Sequence, residues 1–247
     1  MIPKIIHACW LGDKPLPENE CRYIETWKKY NPDYQIILWT DETFSKYYDD
    51  SLFVQDCLKK KKYGFLSDYF RFTILYEFGG IYIDTDIELF KNFDRFLNNK
   101  MFMGFIFDSS IGTALFGTEP NNPLMLEWLN ILKSDYEKRK AFTVSNDWIT
   151  KYFIDNFSDF LLNGKEQELN CGIHIYPKDY FERYQINKKS GGGYAEHHCF
   201  GSWNDEKPTI KNKIKKFIPR KLRSYLGHKK ILKETPYYNI YLRDKKK

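Results

Sequence analysis

"SDYFRFTILYEFGGIYIDTDIEL", Ser67 to Leu89, holds the turning point of the chain. Its first half repeats apolar residues at helical spacing and halts at Gly79-Gly80, the punctuation expected at a helix C-terminus. Ser67 is a candidate N-cap, which would set Asp68 in the first turn. The second half alternates as a strand: Ile81, Ile83, Thr85 and Ile87 share one face, and Tyr82, Asp84, Asp86 and Glu88 the other.

Outward from this stretch, strand-like and helix-like segments interleave. "KIIHACW" (Lys4–Trp10), "YQIILW" (Tyr34–Trp39), "MFMGFIF" (Met101–Phe107), "GTALFG" (Gly112–Gly117) and "GIHIYP" (Gly172–Pro177) read as strands. Residues Asn19–Tyr30, Leu124–Tyr136 and Trp148–Phe157 read as helices. Such interleaving predicts an α/β sheet flanked by helices, with ligands bound beyond the carboxyl ends of the strands. No internal repeat and no glycine-rich phosphate loop is visible. "SGGGY" (Ser190–Tyr194) lacks both the spacing and the lysine of one.

Asp84 and Asp86 pose the chemical question. Two neighbouring carboxylates repel, and desolvation makes ionising both costly. A divalent cation relieves that cost. Mg²⁺ and Mn²⁺ accept carboxylate, water and phosphate oxygens together, so the D-x-D spacing suits a clamp for a phosphorylated substrate. An inert, solvated strand end has the same spacing. Asp68 and Arg71, three apart on one helix face, are either a local salt bridge or a pair facing sugar and phosphate oxygens.

Composition narrows the class. The 247 residues suit one large domain or a domain with an appendage, and 18% of them are aromatic. Most of those rings are expected in the core, though some suit a cleft for sugar-like ligands. Five scattered cysteines without a C-x-x-C pair argue against a disulfide framework and a zinc cluster, and favour a reducing compartment. With no signal peptide and no apolar run of about 20 residues, the expected location is cytoplasmic or peripheral on the inner face of the cytoplasmic membrane.

Three blocks together carry a resemblance: "IPKIIHACWLGDKPLPE", the opening stretch, and "HHCFGSW" (His197–Trp203). In this order they resemble glycosyltransferase family 32, whose members include initiating mannosyltransferases and bacterial capsular and lipopolysaccharide transferases; the large glucosylating toxins are more distant. The likeness spans most of residues 1–206. It implies a GT-A fold, a UDP- or GDP-sugar donor, Mn²⁺ or Mg²⁺, a saccharide acceptor and transfer with retention of configuration. Carried over by position, it sets His7 and Trp10 beside the donor base, and Asp68 and Arg71 on the donor sugar, with Arg71 also reaching the diphosphate. Tyr82 matches an aromatic just before the D-x-D. Asp84 would contact hydroxyls and the ion's water shell, Asp86 would bind the ion, and His198 would add a ligand. Ser202 and Trp203 would close over the diphosphate. His7 on a first strand is equally a hydrogen-bonded core histidine, and Trp10 a packing residue. His197 and His198 face opposite ways in an extended segment, and His198 is chosen for its spacing to Trp203. Relatives often carry Gly-Pro where this chain has "FTVSNDWIT" (Phe142–Thr150), so no covalent nucleophile is named. Ser145 would cap the helix there, with Asn146 or Asp147 facing the cleft.

Charge divides the chain. From Lys207 onward there are 15 Lys/Arg and 2 Asp/Glu, a net +13, which leaves residues 1–206 at −7. The expectation is a catalytic domain over 1–206 and a basic, partly amphipathic extension over 207–247. The extension suits either anionic lipid, near a lipid-linked acceptor, or packing on the body. No nucleic-acid motif accompanies it, and no nucleic-acid partner is expected. Two other functions use the same residues: a metal-dependent phosphohydrolase of nucleotide sugars, and a non-catalytic nucleotide-sugar or polysaccharide-binding module.

Overall fold

The structure is a computed structural model that describes residues 1–182, 193–199, 232 and 234–247. Strand β1 (Ile5–Cys9) leads through a loop to helix α1 (Glu18–Tyr30) and returns in β2 (Gln35–Trp39). Two short helices follow, α2 (Asp41–Phe44) and α3 (Leu52–Lys59), then α4 (Tyr63–Phe78). After α4 come β3 (Gly80–Ile83), β4 (Ile87–Leu89), β5 (Met101–Phe107) and β6 (Ser110–Thr118). Helices α5 (Pro123–Arg139) and α6 (Ser145–Asn156) precede β7 (Gln167–Glu168), β8 (Ile173–Tyr176) and β9 (Ala195–His197), and α7 (Tyr238–Asp244) is last.

Seven strands form one mixed sheet in the order β2-β1-β3-β6-β5-β8-β7, and β4 pairs with β9 in a separate ribbon. β1 runs parallel to both β2 and β3; β6 opposes both β3 and β5; β8 follows β5. The carboxyl ends of β1, β2, β3, β5 and β8 therefore open on one side, where a ligand cleft is expected. This is the helix-flanked α/β arrangement read from the sequence.

Alternation along the strands feeds two cores. Tyr82, Met103 and Phe116 join Phe70, Phe72, Trp128 and Phe153 in the layer under α3 to α6. Ile81, Ile83 and Phe102 face the other way, with Trp27 of α1 and Phe93, Phe96 and Phe181. Phe96 sits among Phe93, Phe102, Tyr176, Phe181 and Tyr194 with ring centroids 4.8–5.2 Å apart. Edge-on and offset contacts of this kind account for much of the aromatic content.

Gly79 and Gly80 do more than end a helix. Both have positive φ, +62° and +96°. A Cβ on Gly79 would lie 2.6 Å from the Pro120 nitrogen, and one on Gly80 would lie 2.7 Å from the Ile5 carbonyl. Only glycine fits the sharp reversal that lays β3 beside β1.

His7 secures that reversal from within. It is fully buried; its Nε2 donates to the Gly79 carbonyl at 3.0 Å, and Trp39 Nε1 donates to its Nδ1 at 3.2 Å. It is the core histidine of the two sequence readings. Burial pulls its pKa down to about 4, so it stays neutral. The unfolded chain therefore takes up this proton first. The stability His7 contributes is present above pH 6.5 and is lost as pH falls toward 4, about 3 kcal/mol over that window. A His7→Phe variant strands two buried polar groups and should lose about 2–4 kcal/mol at pH 7 by urea denaturation. The gap to wild type should close by about 3 kcal/mol at pH 4; a constant gap would show that His7 does not titrate this way.

The last described segment packs on the body. Tyr241 is buried in the layer under the helices, and the Asp244 carboxylate accepts the Leu162 N–H at 3.1 Å. These contacts seat the described end of the 207–247 segment against the body. Among the described residues no helix is long and apolar enough to cross a membrane.

Candidate functional site

The strand alternation predicted through Glu88 stops at Ile83. Asp84 N–H donates to the Ala114 carbonyl at 2.8 Å, and Ile87 N–H donates back to the Asp84 carbonyl at 3.1 Å. The result is a turn over Asp84–Ile87 just past the carboxyl end of β3. A continued strand would have driven its carboxylates into the layer that holds Tyr82. Leaving the sheet spares that desolvation cost and sends three carboxylates to three sets of partners.

Asp84 turns inward. Its Oδ1 accepts the Tyr82 hydroxyl and lies 3.5 Å from Arg71 Nη2. Burial raises its pKa, Arg71 opposes the rise, and Asp86 adds to it. Arg71 is itself 5% exposed and spans helix and sheet. Its Nε donates to the Ser67 carbonyl at 3.1 Å, and its Nη1 to the Thr113 carbonyl and hydroxyl at 2.6 and 3.1 Å. Its Nη2 donates to Ser67 Oγ at 3.0 Å as well as approaching Asp84. Its guanidinium lies over the Tyr82 ring, 4.5 Å from the centroid. The five N–H donors of a guanidinium thus meet acceptors within the protein. The resemblance implied a role for Arg71 at sugar and diphosphate; in the structure it lies behind Asp84 and holds that carboxylate.

Asp68 pairs with Arg71 as the spacing suggests, Oδ1 lying 3.4 Å from Nε. Their setting differs, because α4 begins at Tyr63, a turn before the expected cap. Ser67 lies inside the helix and donates to the Gly64 carbonyl at 2.7 Å. Asp68 is therefore a buried mid-helix carboxylate. Burial pushes its pKa up to about 6 against the pull of Arg71 and a hydrogen bond from Ser145. Ser145, the first residue of α6, also contacts Thr113 Oγ1 at 3.0 Å. Asn146 Oδ1 accepts both the N–H and the hydroxyl of Thr113, at 3.0 and 2.8 Å. Thr113 therefore ties α6, Arg71 and the D-x-D turn together, though no motif marked it in the sequence. Asp147 follows in the first turn of α6, exposed.

The β4–β9 ribbon brings the histidines in, with Ile87 opposite His197 and Glu88 opposite Glu196. His198 N–H donates to the Asp86 carbonyl at 3.0 Å, but its ring goes elsewhere. It stacks on Tyr23 of α1 at 4.3 Å, and its Nε2 lies 3.1 Å from Glu88 Oε2. His197 takes the place expected of His198: its Nε2 lies 3.3 Å from Asp86 Oδ1, and its Nδ1 2.7 Å from Glu182 Oε2. Adjacent residues of an extended segment do face opposite ways. The ribbon register decides which of them meets the D-x-D, and spacing to Trp203 carries no information on it. Carboxylates on both nitrogens hold the His197 pKa well above its ordinary value, against burial.

Ligand atoms of Asp84, Asp86 and His197 all lie within 4.8 Å of one another. An octahedral ion about 2.1 Å from each donor needs separations of about 3–4 Å. Two carboxylates and an imidazole would meet that need with small side-chain adjustments, so the donor set fits a divalent cation. Glu182, His197 and Cys199 form a second such group that shares the imidazole. Trp10 lies just past β1, half-buried, with Nε1 donating to the Lys14 carbonyl at 2.6 Å. Ser202 and Trp203 lie outside the described residues, as does most of the basic segment from 207.

Residues 17–103 match the family described as the glycosyltransferase sugar-binding region containing DXD motif. The chain is 24% identical over 218 residues to "Uncharacterized glycosyltransferase L373" of Acanthamoeba polyphaga mimivirus, covering 82% of this chain and 84% of that one. It is 30% identical over 140 residues to the mannosyl phosphorylinositol ceramide synthase SUR1 of Saccharomyces cerevisiae, covering 56% of this chain and 36% of that one. The chain thus spans about a third of the yeast relative's length. Among solved structures it is similar to the PaToxG glycosyltransferase, with TM-score 0.45 and 22% identity over 56% of this chain and 62% of that one. It is also similar to the galactosyltransferase LgtC bound to donor and acceptor sugar analogs, with TM-score 0.43 and 9% identity over 89% and 99% of the two chains.

Proposed function

We propose that this chain, whose residues 17–103 match the DXD-containing glycosyltransferase family, is a sugar transferase of that kind, and that it moves a hexose from a nucleotide-sugar donor to a saccharide acceptor, with a divalent cation and with retention of configuration. One observation carries the proposal: Asp84, Asp86 and His197 converge within 4.8 Å, just past the carboxyl end of β3. When bound, the ion supplies charge that stabilises the departing diphosphate. One imidazole beside two carboxylates favours Mn²⁺ over Mg²⁺.

The protein's own groups divide the remaining work. Asp86 and His197 would hold the ion, and Asp84 would face it or its waters while fixed by Arg71 and Tyr82. Asp68, one hydrogen bond from α6, would hold Arg71 and the start of α6 in place behind the cleft. It is 5% exposed and held by Arg71 and Ser145, which leaves it poorly placed as a nucleophile. Retention is then better served by attack on the same face as the leaving diphosphate, whose oxygen would take the acceptor's proton. The net +13 of residues 207–247 supports peripheral contact with anionic lipid at the cytoplasmic face, close to a glycolipid or surface-polysaccharide acceptor.

The test is turnover of a donor panel with Mn²⁺, starting from GDP-mannose because several relatives are named mannosyltransferases. Slow nucleotide release in water, accelerated by one saccharide or glycolipid acceptor, is the expected result. Nuclear magnetic resonance of the product should show the donor's anomeric configuration. Release of inorganic phosphate without sugar transfer would instead mark a phosphohydrolase, and tight donor binding without turnover a binding module.

A further inference from the structure

We propose that Glu182 is the positioning residue for the cation site: it accepts the hydrogen bond of His197 Nδ1–H and so presents Nε2 to a divalent ion beside Asp86. This rests on the metal-dependent reading above. It adds a residue outside the D-x-D stretch and outside the matched segment 17–103.

A histidine binds metal through one nitrogen, and the hydrogen bond made by the other selects which one. Here the nitrogens are divided between two carboxylates. Nδ1 lies 2.7 Å from Glu182 Oε2, and Nε2 lies 3.3 Å from Asp86 Oδ1. Glu182 is 6% exposed. Its other oxygen is hemmed in by β6, since a Cβ on Gly112 would lie 3.0 Å from Oε1. A carboxylate this confined is placed to orient the ring.

The backbone reinforces the side-chain contact. His197 N–H donates to the Glu182 carbonyl at 3.2 Å, and Glu182 N–H to the Lys178 carbonyl at 2.9 Å. Tyr194 and Ala195 N–H both donate to the Tyr180 carbonyl, at 2.9 and 3.1 Å. The β9 segment is thus laced to residues 178–182 along its length, and the imidazole is held at both ends. Glu182 lies on the far side of the ring from the D-x-D. A hard ion on Nε2 leaves it as an outer partner, whereas a soft ion on Nδ1 would recruit it as a ligand together with Cys199.

The experiment titrates Mn²⁺ into the full chain and reads free Mn²⁺ by electron paramagnetic resonance. Glu182→Ala should weaken Mn²⁺ binding about 10- to 100-fold. Glu182→Gln, whose amide oxygen still accepts the hydrogen bond of Nδ1–H, should recover part of the loss, and Cys199→Ser should bind like wild type. In a His197→Ala background, Glu182→Ala should add nothing, because its effect passes through the ring. Thermal unfolding checks each variant, and if Glu182→Ala does not fold, the Gln variant and its coupling to His197→Ala decide. Wild-type affinity in folded Glu182 variants, an undiminished effect without His197, or an equal loss in Cys199→Ser would each overturn the proposal while leaving the D-x-D reading intact. A wild-type chain that bound no Mn²⁺ would remove the metal reading itself, and this inference with it.

Discussion

Asp86→Asn should lower metal-dependent sugar transfer about a thousandfold, roughly 4 kcal/mol of lost transition-state stabilisation, and leave the fold intact. The two side chains have nearly the same shape, and the Asp86 carbonyl that receives the His198 N–H is unchanged by the substitution. What disappears is a negative ligand at the point where Asp84 and His197 converge. Removing one of two like charges also relieves repulsion, because Asp86 contributes to the raised pKa of Asp84. The same substitution weakens the pairing of Asp86 with His197 Nε2, so the two effects offset and unfolding midpoints should stay near wild type. The check is nucleotide release from the active donor under single-turnover conditions, beside a urea melt. Activity within tenfold of wild type would take Asp86 out of the reaction.

Arg71→Met should act in the opposite register, by unfolding the protein. The substitution keeps the apolar stem and removes a guanidinium bonded to Ser67, Thr113 and Asp84 and paired with Asp68. Breaking a buried ion pair from one side leaves an uncompensated charge and costs about 3–5 kcal/mol. Arg71→Lys should recover little of this, because a single ammonium cannot span the Ser67 and Thr113 carbonyls in fixed directions. Urea denaturation measures the loss directly. If Arg71→Met kept wild-type stability while losing donor binding, Arg71 would instead be a free hand held out to the diphosphate.

The alternation of strand and helix was legible because it depends on local periodicity. Gly79-Gly80 marked the junction of α4 and β3, where positive φ leaves no alternative to glycine. Asp84 and Asp86 were legible as a pair because repulsion between near carboxylates calls for a partner. What escaped depended on register and tertiary contact. The choice of His197 over His198 follows from the pairing of β4 with β9, two strands about a hundred residues apart in sequence. Thr113 and Glu182 act through hydrogen bonds across the fold, and nothing in their local sequence announces them. Ser67 shows the limit on boundaries. It resembled a cap, but tertiary packing extended α4 a turn further back, and Asp68 became a buried mid-helix carboxylate. His7 matched a family block, yet its hydrogen bonds to Gly79 and Trp39 make it part of the core.

The central claim is that Asp84, Asp86 and His197 together hold a divalent ion that grips the donor's diphosphate. The most direct measurement is a crystal structure with Mn²⁺ and the nucleotide of the active donor, using anomalous scattering to locate the metal. The expected result is one anomalous peak within about 2.3 Å of Asp86 and of His197 Nε2, with phosphate oxygens completing the coordination. A structure with nucleotide bound, both carboxylates turned to solvent and no manganese between them would contradict it.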